Sequence, residues 1–127
     1  MEQRPKRLLL IDDSEQTLRM VATVLSRSGF EVRTSTSVHD LTTAQGEWRP
    51  DLILTDVNMP GTSGVELCRQ LKATYDTAHV PVVLFSALPH EELEVLAESC
   101  EADGFLSKSR LDQLPQELTR LIDTLSF

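Results

Sequence analysis

Short, unbroken apolar runs alternate along this chain with segments whose apolar residues recur at helical spacing. Leu8-Leu9-Leu10-Ile11, Leu52-Ile53-Leu54 and Val82-Val83-Leu84-Phe85 have the length of buried strands. Phe30 to Thr34 and Gly104-Phe105-Leu106 read as two more. Between the runs, Leu18, Val21, Ala22 and Leu25 predict a first helix that Gly29 closes. Val38, Leu41 and Ala44 predict a weaker second helix ending near Gly46, and Val65, Cys68 and Leu71 a third running to about Tyr75. Leu93, Leu96, Ala97 and Cys100 form the stripe of a fourth. Leu111, Leu114, Leu118, Leu121, Ile122 and Leu125 form that of an amphipathic last helix.

Five strand–helix alternations predict an α/β fold, a five-stranded parallel sheet with helices on both faces. In such sheets ligands bind beyond the carboxyl ends of the strands. What each apolar run delivers at its end therefore matters most. The first run ends in Asp12 and Asp13, the third in Asp56 and the fourth in Ser86, while Lys108 follows the fifth. Three carboxylates gathered on one rim raise one another's pKa unless a cation neutralises them. Hard oxygen ligands with room for water suit Mg²⁺.

A lysine and a hydroxyl added to that set can hold a phosphoryl group, whose transfer depends on positioning and charge neutralisation. A carboxylate can itself be the nucleophile. Asp56 is the candidate, because it stands alone at its strand end just before the turn Met59-Pro60-Gly61. Asp12 and Asp13, as neighbours, are placed to hold the metal jointly. Asp13 is also placed to cap the first helix, with Gln16 completing a capping box.

Composition narrows the partners. The chain has 127 residues, which suits a single domain over 1–127, and its 40% hydrophobic content suffices for one core. Acidic residues outnumber basic ones 20 to 12, for a formal charge of -8. Phosphate backbones and anionic lipid repel such a chain, so neither nucleic acid nor membrane is an expected direct partner. No stretch reaches the roughly 18 apolar residues of a membrane span, and MEQRPKR opens no signal peptide. A cytoplasmic location is expected. Cys68 and Cys100 are expected to be buried, reduced thiols. Trp48 is expected to pack over a helix end, and His39, His79 and His90 lack ligand spacing and receive no metal or catalytic role.

The motifs LLLIDDSE, LILTDVNMPGTSGVEL, VVLFSA and GFLSKS, in this order, resemble the receiver domain of bacterial two-component response regulators over essentially the whole chain. The resemblance implies a flavodoxin-like fold, strand order 2-1-3-4-5, with five flanking helices. It implies that Asp56 accepts a phosphoryl group from a histidine kinase or a phosphotransfer protein. Asp13 and Asp56 would bind Mg²⁺ directly, Asp12 through water, and the Asn58 backbone carbonyl would supply a further ligand. Ser86 would hydrogen-bond the phosphoryl oxygen, Lys108 would pair with it, and Phe105 would occupy the aromatic switch position, turning inward as Ser86 moves. The domain would be no turnover enzyme beyond promoting its own phosphorylation and dephosphorylation.

One position departs from the family. Its lysine is usually followed by proline, whereas Lys108 precedes Ser109. A cis bond before a non-proline residue costs roughly 2.5–4 kcal/mol, so a trans bond is expected, with Lys108 aimed differently or less rigidly. Ser109 and Asp112 are placed as a capping box for the last helix. Unless the chain is excised from a longer one, output by protein contact is expected, and the resemblance implies that it uses the face of the fourth helix, fifth strand and fifth helix. Two other readings stand beside this one. A receiver-like interaction module would never be phosphorylated. An aspartyl-phosphate phosphatase or phosphotransferase would need a general acid two residues after its nucleophile, where the amide Asn58 cannot transfer a proton.

Overall fold

The computed structural model describes residues 5–36, 50–59, 63–73 and 78–125. Its elements are β1 Arg7–Ile11, α1 Glu15–Arg27, β2 Glu31–Ser35, β3 Leu52–Thr55, α2 Gly64–Ala73, β4 Val82–Ser86, α3 His90–Ser99, β5 Gly104–Ser107 and α4 Leu114–Leu125. The strands form one parallel sheet of order β2-β1-β3-β4-β5. This is the expected flavodoxin-like arrangement, with four helices among the described residues. The expected second helix, with Val38, Leu41 and Ala44, lies outside them, as do His39, Trp48, Pro60, Gly61 and Tyr75.

Strand alternation sorts the core into two layers. Leu9, Ile11, Ile53, Val82 and Leu84 face Leu67, Cys68 and Leu71 of α2 and Leu93 and Ala97 of α3. Leu8, Leu10, Leu52, Leu54, Val83 and Phe85 face Leu18, Val21 and Leu25 of α1 and Leu114 and Leu118 of α4. β1 and β3 are therefore apolar on both faces, which is why their sequences are unbroken runs rather than alternations. β2, at the sheet edge, is mostly exposed.

Two helix ends were differently legible. At the end of α1, the Phe30 N–H donates to Leu25 O (3.2 Å) and the Gly29 N–H to Ser26 O (3.1 Å). Gly29 has φ 97°, so the expected glycine stop is a Schellman turn. The last helix begins later than expected. Leu111 lies in a turn in which the Gln113 N–H donates to Arg110 O at 3.1 Å, and α4 starts at Leu114. Cys68 and Cys100 are free and buried, as expected, and the Cys68 thiol donates to Cys100 O at 3.3 Å. Burial pushes the Cys68 thiol up to about 12.

Candidate functional site

The ladder of the sheet continues one residue past β1, β3 and β5, and this is what fixes the rim. The Asp12 N–H donates to Ser35 O (3.1 Å), the Asp56 N–H to Ile11 O (2.9 Å) and the Lys108 N–H to Ser86 O (2.9 Å). The three side chains are thus presented together at the carboxyl ends of β1, β3 and β5. Carboxylate oxygens of Asp12, Asp13 and Asp56 lie within 4.8 Å of one another. Lys108 Nζ sits among them, 2.5 Å from Asp12 Oδ2 and 3.3 Å from Asp56 Oδ1. Asp12 is nearly inaccessible and Asp56 only 12% exposed, whereas Asp13 faces solvent.

Each carboxylate is held differently. Asp12 Oδ1 accepts from the Ser14 N–H (2.9 Å), so both of its oxygens are engaged. Asp56 Oδ1 accepts from the Val57 N–H at 2.8 Å as well as facing Lys108. Burial pushes the Asp56 carboxyl above its ordinary value, Lys108 opposes that shift, and the Asp12 charge adds to it. One ammonium against three carboxylates leaves the pocket with excess negative charge. It attracts a further cation.

A family profile described as the response regulator receiver domain matches residues 8–119. The chain belongs to that family. It is 32% identical over 124 residues to the polar-differentiation response regulator DivK of Brucella anthropi, covering 95% of this chain and 94% of that one. It is 31% identical to the phosphate regulon transcriptional regulatory protein PhoB of Pseudomonas aeruginosa over 81% of this chain, but spans only 45% of that protein. The structure of the chemotaxis response regulator CheY4 of Vibrio cholerae superimposes with a TM-score of 0.81 at 25% identity, covering 92% of this chain and 98% of that one. Receiver domains of this family serve phosphorylation-based signalling with histidine kinases and downstream effectors, as modules that are in general not turnover enzymes.

Within this receiver domain, two local expectations are corrected. The N-cap of α1 is Ser14, whose Oγ accepts from the Thr17 N–H at 3.2 Å, so Asp13 does not cap the helix. The cap belongs one residue later because Asp12 turns the chain by accepting the Ser14 N–H. Ser109 does not cap the last helix either. Its N–H donates to Ser107 Oγ (3.1 Å), the two hydroxyls are 2.6 Å apart, and α4 begins five residues further on. The Lys108–Ser109 bond is trans, as expected. Lys108 reaches the acidic pocket without a cis bond, so the missing proline does not keep its ammonium out. The backbone bond to Ser86 fixes its origin, and its ammonium passes 5.7 Å from the centre of the Phe85 ring.

The other expected site residues lie on β4, on β5 and in the loop after β3. Ser86 is buried at the end of β4, and its Oγ accepts from the Leu88 N–H at 3.2 Å. Asn58 is exposed in the loop two residues after Asp56. Phe105 is half-buried on β5, beside the α2–α3 layer. Gly64 escaped the sequence reading. A Cβ there would lie 1.9 Å from Asp56 O and 2.8 Å from its carbonyl carbon, and the Gly64 N–H donates to Val57 O at 2.8 Å. Only glycine lets α2 begin this close to the loop that carries Asp56. A glycine opening a helix just after a turn was the available signal.

Proposed function

We propose that Asp56 accepts a phosphoryl group, in the presence of Mg²⁺, from a histidine kinase or phosphotransfer protein, and that the modified domain signals by protein contact. The observation that carries this reading is the Lys108 ammonium held between Asp12 and Asp56 in a cluster of three carboxylates. The donor set fits Mg²⁺, since it offers hard oxygens, excess negative charge and a solvent-facing member in Asp13. Asp13, Asp56 and the Asn58 backbone carbonyl would hold the ion directly. Asp12, whose oxygens are already engaged by Ser14 and Lys108, would act through water. When bound, Mg²⁺ offsets the negative charge of the incoming phosphoryl oxygens.

The chain's own residues then divide the work. Asp56 Oδ forms a bond to phosphorus as the donor's P–N bond breaks, and the departing imidazole nitrogen keeps the electron pair and takes up a proton. Burial makes the ionised Asp56 carboxylate less stabilised, which favours its use as a nucleophile. Lys108 pairs with a phosphoryl oxygen, for which it must leave Asp12 or share its charge. Ser86 donates its hydroxyl to another oxygen, giving up its contact with Leu88. Phe105 turns inward into the space so created, which couples the rim to the face of α3, β5 and α4, the proposed contact surface for a downstream protein.

Incubation with Mg²⁺ and a small acyl phosphate, followed by intact mass, tests the reading. The expected outcome is a gain of one phosphate that disappears in Asp56→Asn and on chelation. No gain with any donor would leave an interaction module that is not phosphorylated.

A further inference from the structure

The imidazole of His90, the first residue of α3, packs edge-on against the Phe105 ring. The centroids are 4.9 Å apart and the planes are inclined at 66°. That distance and angle lie in the favourable range for aromatic pairs. His90 is otherwise 74% exposed, and its Nε2 lies 3.4 Å from Glu94 Oε2 one turn along α3. A ring in contact with so exposed a side chain lies at the outer edge of its layer. The strands give it a way inward. Leu84 pairs with Phe105 and Ser86 with Ser107, so Phe105 and Ser86 project from the same sheet face on adjacent strands.

We propose that His90 is a positioning residue for the switch. Its ring holds Phe105 outward and so sets how much of the phosphoryl group's binding energy is needed to turn it. The inference rests on the receiver reading of Asp56 and Phe105 given above. Turning Phe105 toward Ser86 separates the two rings, so the outward state is favoured by whatever their contact is worth. A ligand bound at Asp56 must overcome that preference, and its apparent affinity falls accordingly. His90 thus acts on the pocket without touching it, through one aromatic contact at the start of α3.

The test uses beryllofluoride with Mg²⁺, a non-covalent stand-in for the phosphoryl group, titrated into the full chain and followed by ¹⁹F NMR. His90→Gln, which removes the ring, is expected to bind about three-fold tighter than the wild type. His90→Phe, which keeps the edge contact, restores the wild-type affinity. In a Phe105→Leu background the His90→Gln effect vanishes, which a general loosening of α3 would not produce. An unchanged affinity in His90→Gln overturns the proposal, as does an increase that persists in Phe105→Leu. Failure of the wild type to bind beryllofluoride in an Asp56-dependent way overturns the receiver reading and the role of His90 with it, so the two failures are distinct.

Discussion

Among the described residues, two Lys–Asp contacts of the same length lie at opposite ends of the sheet. At the carboxyl end Lys108 Nζ lies 2.5 Å from Asp12, and at the amino end Lys72 Nζ lies 2.5 Å from Asp103. Both pairs are largely withdrawn from water. Their surroundings differ. Asp103 Oδ2 also accepts from the Val82 N–H (2.8 Å), and Lys72 also donates to Val80 O (3.1 Å). One positive charge meets one negative charge there, and neighbouring backbone groups complete the set. That pair clamps α2 to the entrances of β4 and β5. At the other end one ammonium touches two carboxylates of a cluster of three, and the excess charge is a standing demand for a cation. Pair geometry alone does not mark a functional site; the balance of charge around it does.

The glycines beside the two pairs give the largest expected contrast. The Cβ of Gly64→Ala would meet the Asp56 backbone, which cannot yield. A loss of about 4 kcal/mol is expected in urea unfolding, together with loss of Mg²⁺ binding. A Cβ at Gly104, next to Asp103, would instead meet the ends of the Leu121 side chain at 3.1 Å. Those can shift, and Gly104→Ala is expected to cost about 1 kcal/mol or less. Equal losses would remove the distinction between a backbone wedge at the site and ordinary packing at the clamp.

Breaking the pairs themselves comes next. Lys72→Met leaves Asp103 with only its backbone donor, and a loss of about 3 kcal/mol is expected, because the partner charge stays part-buried. Mg²⁺ should not restore it. Lys108→Met should cost about 2 kcal/mol without metal, the solvent-facing Asp13 and hydration easing part of the repulsion. Here Mg²⁺ should restore more stability than it adds to the wild type, since the ion replaces the missing charge. Thermal melts of both variants with and without Mg²⁺ decide the matter. Rescue of Lys72→Met, or none of Lys108→Met, would break the comparison.

The same contrast explains what could be read from the sequence. Buried runs such as Leu52-Ile53-Leu54 announce a parallel sheet, and such a sheet brings its strand ends to one rim, so Asp12, Asp56, Ser86 and Lys108 could be placed together in advance. Residues whose role depends on one particular contact, near or far along the chain, were not legible. Gly64 matters because of the Asp56 carbonyl, Ser14 caps because Asp12 turns the chain, and Lys72 finds Asp103 across 31 residues. His90 lacks ligand spacing, yet the fold lays it on Phe105. That Lys108 would reach the pocket without a proline after it was not legible either. The bond to Ser86 and the pull of two carboxylates decide its aim.

The smallest expected effect is on pH dependence, and its sign separates the metal-free pocket from the loaded one. Burial raises the folded-state pKa of Asp56 above its ordinary 3.8. Between that value and the raised one, the folded chain holds a proton that the unfolded chain has lost. Unfolding free energy therefore falls as pH rises through this window, and the deficit is complete above it. In metal-free protein Asp56→Asn, which carries no charge at 56, should gain on the wild type across the same window and hold that advantage at neutral pH. With Mg²⁺ the order should reverse, because the ion binds the ionised carboxylate and stabilises only the wild type. Urea melts of the two proteins over the acid range, each with chelator and with Mg²⁺, measure both slopes. A wild type that loses nothing relative to Asp56→Asn without metal would show that Lys108 alone balances the pocket, which would make it a second clamp.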